Sequence, residues 1–128
     1  MRKISHNAAM AFVRNNNYKC DSTEVVTHYR EHMTTMYLHG NTIAVKTGER
    51  VTVTLAGYGT PTTRERVNGL LTVLADEFNW PHSCGFTQAK GEQVFTVFAP
   101  NGEILRRIPV SSRDVIELDL TTGYRRVD

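Results

Sequence analysis

The chain has 128 residues and a mass of 14.5 kDa, which suits a single domain spanning 1–128 and leaves no room for two independent cores. Its 40% hydrophobic and 22% charged content excludes a disordered or fibrous chain, and no apolar run approaches the roughly 20 residues that cross a bilayer as a helix. Fifteen Lys and Arg against 13 Asp and Glu give a formal net charge of +2, too balanced for the footprint of a dedicated nucleic-acid binder.

Met1-Arg2-Lys3 leads into His6 and Asn7 rather than into the apolar core of a signal peptide, which predicts a cytosolic protein. Ser5 is placed to cap a short helix whose Ala8, Ala9 and Phe12 recur at helical spacing, and Asn15-Asn16-Asn17 ends it, because asparagine tolerates left-handed backbone. Extended patterns follow at Glu24 to His28, Thr34 to Leu38, Thr42 to Lys46 and Arg50 to Ala56. Gly40-Asn41 and Thr47-Gly48 with Glu49 are hairpin signals, so these pieces predict an antiparallel meander. Val51, Val53 and Leu55 share one face, and Ile43 and Val45 with Met36 and Leu38 supply matching apolar faces beside it.

Val67, Leu70, Leu71, Leu74 and Phe78 form one helical stripe that would cover the meander. Thr62 can cap this helix, with Glu65 reaching back to complete a capping box, and Gly69 inside it suggests close approach to a strand. Trp80-Pro81 ends the helix. Strand patterns resume at Gly85 to Ala89, Gln93 to Ala99, Glu103 to Val110 and Val115 to Leu120, with Lys90-Gly91 and Asn101-Gly102 as turns. Pro109 lacks an amide proton and places its strand at an edge. Whether the two groups of strands share a sheet is left open by the pattern, as is whether Tyr124 to Asp128 docks.

Gly57 to Arg64 combines glycines, hydroxyls and a helix start, the ingredients of an anion site at Tyr58, Thr62, Thr63 and Arg64, but capping and turn formation explain the same residues. The run lacks the Gly-Lys-Ser/Thr ending of a phosphate loop, and no βαβ unit surrounds it. Arg64 and Arg66, Arg106 and Arg107, and Arg125 and Arg126 are paired cations that can grip phosphate beside Tyr58 and Tyr124, or simply decorate solvated faces. Five histidines include His28 and His32 four residues apart, but their neighbours read as strands and turn, so no metal site is expected. Cys20 and Cys84 lack the spacing of a zinc or redox pair, which predicts two free thiols; His82 and Cys84 are too close in sequence for an ordinary catalytic pair. Glu65, Asp76 and Glu77 are not spaced to converge with a histidine as a metal-dependent hydrolase or nuclease would need.

The run from Tyr37-Leu38-His39-Gly40-Asn41 through Thr60-Pro61-Thr62-Thr63-Arg64-Glu65-Arg66-Val67-Asn68-Gly69-Leu70, with the opening Ile4-Ser5-His6-Asn7-Ala8-Ala9, resembles small uncharacterised proteins of tailed bacteriophages, including T7-like phages. The likeness covers mainly the first half to three fifths of the chain. It implies a phage origin and expression in the cytoplasm of a bacterial host, and it carries no catalytic residue. The expected fold is α+β: a short N-terminal helix, an antiparallel meander packed on one central amphipathic helix, and C-terminal hairpins. The expected function is that of a non-enzymatic phage accessory protein, without cofactor or membrane, that binds a host bacterial protein of a defence system or the transcription machinery. A nucleic-acid or nucleotide-binding module using Tyr58, Arg64, Arg66, Arg106 and Arg107 is the alternative, and a homodimer through a β edge is compatible with either.

Overall fold

Turn chemistry sets the register of the first half of the protein, whose computed structural model describes all residues, Met1–Asp128. Helix α1 spans Lys3–Arg14, followed by strands β1 (Tyr18–Cys20), β2 (Thr23–His28), β3 (Met33–Leu38), β4 (Asn41–Thr47) and β5 (Arg50–Thr54). Helix α2 spans Pro61–Glu77. Strands β6 (Ser83–Ala89), β7 (Glu92–Phe98), β8 (Ile104–Val110), β9 (Val115–Asp119) and β10 (Gly123–Val127) complete the chain. The fold is α+β and every strand pairing is antiparallel.

Asn15 takes the left-handed conformation (φ 57°) that ends α1. The hairpin loops sit one residue from their expected places: His39-Gly40 rather than Gly40-Asn41 joins β3 to β4, since Leu38 pairs with Asn41, and Gly48-Glu49 joins β4 to β5. Both His39 and Gly40 have positive φ, as a tight two-residue hairpin turn requires. Lys90-Gly91 makes the same turn between β6 and β7.

The strands divide into a seven-stranded sheet, ordered β1-β2-β3-β4-β5-β9-β10, and a three-stranded sheet, ordered β6-β7-β8. The fourth strand pattern after the helix therefore does not stay with its neighbours. β9 returns to pair with β5, Arg50 opposite Asp119 and Thr54 opposite Val115, so α2 and the small sheet are an insertion between two paired strands. A backbone bond from Gly57 N to Ser112 O (2.8 Å) closes the base of that insertion. Tyr124 to Val127 docks as the edge strand β10.

One core cluster unites Phe12 of α1, Leu70, Leu71 and Leu74 of α2, Val25, Met36, Val53 and Ile116 of the large sheet, and Phe86 and Phe95 of the small one. A bulge alters the expected alternation on β4. Met36 pairs with Ala44 but Tyr37 with Thr42, which leaves Ile43 unpaired and puts Ala44 and Lys46, in register with Val53 and Val51, on the core face. Val45 pairs with Thr35 and Thr52 on the opposite face, contrary to the simple alternation. Gly69 admits a helix rather than a strand: a Cβ there would lie 3.0 Å from Ser5 Cβ and 3.4 Å from Met1 Sδ, so α1 and the N-terminal residue occupy that space. No helix is long and apolar enough to cross a membrane.

The long edge strand β8 carries three features that discourage further pairing: Pro109, a register shift opposite Val97 and Phe98, and exposed Arg106 and Arg107. At the other edge of the small sheet, Asn68 of α2 imitates a neighbouring strand. Its Nδ2 donates to Phe86 O and its Oδ1 accepts from Phe86 N, both at 2.8 Å.

Candidate functional site

Helix α2 begins two residues earlier than a Thr62 cap would place it. Thr60 is the N-cap, its hydroxyl accepting from Thr63 N at 3.3 Å, and Pro61 fills the first helical position, where a missing N–H is harmless. Glu65 is thereby too far along the helix to complete a capping box. Its carboxylate accepts from Arg2 N (3.0 Å), from Arg66 Nη1 (2.7 Å) and from the Ser5 hydroxyl. Ser5 is correspondingly no cap: it is buried inside α1, whose N-cap position is Arg2 without a side-chain bond. Burial acts to raise the Glu65 pKa, but the bonds from Ser5, Arg2 and Arg66 outweigh it and hold the carboxyl below its ordinary value.

Of the residues that the sequence nominates, Tyr58, Thr62 and Thr63 come together. They line a cleft of about 510 Å³ with Leu38, Ile43, Leu55 and Ala56 as its apolar floor and His39, Asn41 and Thr60 at its rim. Tyr58 stands 55% exposed over this floor. Ala56, on the floor, holds a left-handed conformation (φ 55°) that a side chain rarely adopts. The arrangement offers an apolar seat ringed by hydroxyls, suited to a partner's side chain with a polar end.

The arginines disperse. Arg64 leaves the cleft and reaches the small sheet, its Nη1 donating to Gly59 O (2.8 Å), Gln88 Oε1 (2.9 Å) and Gln93 Oε1 (3.4 Å). Arg66 is only 5% exposed and spends its guanidinium inside the protein, on Thr23 (3.0 Å), Ser5 (2.9 Å) and Glu65 (2.7 Å). Buried, and with its Nε and Nη1 held by internal partners, Arg66 has little to offer an external phosphate and joins α2 to α1 and β2 rather than forming part of a binding surface. Arg106 and Arg107 are exposed on β8, and Arg106 lies over the Tyr124 ring, 5.7 Å from its centre.

Arg125 and Arg126, paired cations in the sequence, join Arg50 in a second arginine group on the outer face of the large sheet. Arg50, Arg125 and Arg126 surround Glu117 at 2.9, 3.7 and 3.3 Å, and Asp128 accepts from Arg50 and Arg126. Only the pairing of β5, β9 and β10 brings Arg50 and Glu117 to that pair, so no local sequence signal points to these two residues. The histidines do not converge: no group of three or more His, Cys, Asp and Glu side chains is placed to hold a metal. Cys84 is buried, which pushes its thiol up to about 12, and both cysteines are free. Asp76 and Glu77 are exposed at the end of α2, apart from Glu65.

A phage family model, described as Kyanoviridae Gp96 protein, matches residues 1–106. The chain belongs to this Gp96 family. The match extends well past the first three fifths, through α2 and into β8, and supports a phage protein without pointing to T7-like phages in particular. Residues 107–128 lie beyond it, although they supply β9, an interior strand of the large sheet. No curated protein and no solved structure matches this Gp96 family member.

Proposed function

We propose that this member of the Gp96 family is a non-enzymatic accessory protein that acts inside the infected bacterium by binding a host protein, of its defence or transcription apparatus, and inhibiting or redirecting it. The observation that carries the reading is the cleft at the start of α2, where an exposed tyrosine stands over an apolar floor within a ring of hydroxyls. Tyrosine in such a position supplies contact area with little loss of side-chain freedom, and apolar seats of this kind hold the anchoring side chain of a partner. Membership of a phage family supports the setting, and the dispersal of Arg64, Arg66, Arg106 and Arg107 over separate surfaces makes a continuous phosphate-binding track the weaker reading.

The test is retention of proteins from bacterial lysate, with and without nuclease treatment, by the wild-type protein, by a Tyr58→Ala, Thr62→Arg variant that strips and fills the cleft, and by an Arg106→Glu, Arg107→Glu variant. The expected result is one host protein held at stoichiometric level by the wild type and the β8 variant and released by the cleft variant. Retention that vanishes with nuclease, or that survives the cleft variant and fails with the β8 variant, would overturn the cleft reading.

A further inference from the structure

The bulge that turns β4 over places an ammonium group where the alternation calls for an apolar side chain. Lys46 is 7% exposed and lies in register with Thr34 and Val51 on the core face. Its Nζ donates to Phe12 O (2.6 Å) and Val13 O (3.1 Å), the outgoing carbonyls of α1, and stands 5.3 Å from the centre of the Phe12 ring. A lysine at a helix C-terminus satisfies orphan carbonyls and meets the negative end of the helix dipole. Carbonyls are not counter-ions, however, and no carboxylate lies within ion-pair distance of Lys46 among the salt bridges of the protein. An ammonium has three donors, and the third finds no acceptor in the chain.

Lys46 lines an open cleft of about 260 Å³, together with Asn15, Thr27, Tyr29, His32, Met33, Thr34 and Gly48. Its polar wall is ordered. Thr34 Oγ1 donates to Asn15 Oδ1 (2.9 Å), Thr27 and Thr34 share a hydroxyl bond (3.3 Å), and Asn17 Oδ1 fixes the Thr27 amide (2.9 Å). With its Oδ1 so engaged, Asn15 keeps both amide hydrogens for another acceptor. At roughly 30 Å³ per water the space corresponds to about eight or nine waters, enough for a small organic acid.

We propose that this open cleft binds a carboxylate, with Lys46 as its counter-ion and the Asn15 amide as a second donor. One lysine matches one negative charge, and the rest of the polar wall is hydroxyls, amides and the His32 ring, with no second lysine or arginine for a phosphate dianion. Met33 and the Tyr29 ring offer apolar surface to a short tail. The carboxylate belongs either to a free acid or to a side chain or chain end of a protein; both present the same oxygens. Burial already pushes the Lys46 ammonium down to about 8, the behaviour of a cation that lacks its partner. The site lies away from the α2 cleft and stands whether or not that cleft binds a host protein.

The experiment is a titration of the ¹⁵N-labelled wild-type protein with sodium acetate, against sodium chloride at the same ionic strength. The expected result is saturable amide shifts at Asn15, Thr27, Thr34 and Gly48 with acetate alone, and a Lys46 side chain that titrates at higher pH when acetate is bound. Lys46→Arg keeps the charge and fills the open cleft, and it should weaken acetate at least about tenfold while the remaining spectrum stays folded. A short peptide with a free C-terminal carboxylate, compared with its amide, separates the two sources: preference for the acid peptide over acetate indicates a protein chain, and preference for acetate a free acid. Shifts that are linear, equal with chloride, or saturable only elsewhere in the protein would overturn the proposal.

Discussion

Replacing Arg66 by alanine separates a structural arginine from a binding one. The guanidinium is 5% exposed and bridges Glu65 and Ser5 on one side and Thr23 on the other, so its removal leaves a carboxylate without its cation and two buried hydroxyls without a donor. Breaking a buried ion pair by deleting one partner costs about 3–5 kcal/mol. Glu65 retains 28% of its side-chain exposure and the bond from Arg2 N, which favours the lower end, about 3 kcal/mol. For a chain of this size that is a fall in Tm of roughly 10 °C. Arg64→Ala, which removes bonds at the partly exposed rim of α2, should cost only about 1 kcal/mol. The assay is urea unfolding followed by far-UV circular dichroism, with Glu65→Gln completing a double-mutant cycle expected to show about 1–3 kcal/mol of coupling. Equal stabilities of Arg66→Ala and Arg64→Ala, or the absence of coupling to Glu65, would refute the assignment of Arg66 to the structural network. The same network has an acid limit. Because the folded Glu65 pKa is depressed below 4.5, its contribution is complete above that value and is lost as pH falls through the lower folded one.

Lys46 should give a second rise of stability with pH, at alkaline rather than acid values. Its folded value of about 8 lies below the ordinary 10.5, so the unfolded chain binds more protons between them, and stability should rise across that interval in the wild type but not in Lys46→Met. Ala56→Gly should stabilise the protein by about 0.5–1 kcal/mol, since Ala56 sits at φ 55°, and a decrease in the unfolding midpoint would show that its methyl group contributes more to the cleft floor than the strain removes. An aromatic disulfide reagent at pH 8 should titrate the half-buried Cys20 in the native protein and reach Cys84 only on unfolding, because burial holds that thiol near 12; rapid reaction of both would contradict the packing around β6.

The meander and the central helix are legible because their signals are local: Val51, Val53 and Leu55 alternate, Lys90-Gly91 turns, and Leu70, Leu71 and Leu74 share a helical face. The path of β9 is not, since alternation at Val115 to Asp119 states that a strand exists but not which strand receives it. The same limit governs the sites. Tyr58, Thr62 and Thr63 share a cleft because they flank one helix start, within a few residues of each other. Lys46 escaped notice because the unpaired Ile43 reverses the faces of β4, a change that depends on pairing with β3. Arg66 misled for a related reason: its sequence neighbours suggest a charged helix flank, while Ser5 and Thr23, which bury it, lie far away in the chain.

The insertion between β5 and β9 also dictates an order of events during synthesis. Until Val115–Asp119 leaves the ribosome, Val51 and Val53 lie on a strand with one neighbour in place and the other missing, an apolar open edge in the middle of the future sheet. At about 5–20 residues per second, the roughly 60 residues between the paired strands keep that edge unpaired for several seconds. Meanwhile β6, β7 and β8 can pair locally, well ahead of the long-range closure. The nascent chain is therefore most prone to aggregate late, after both helices have emerged, and its protection begins with the arrival of β9.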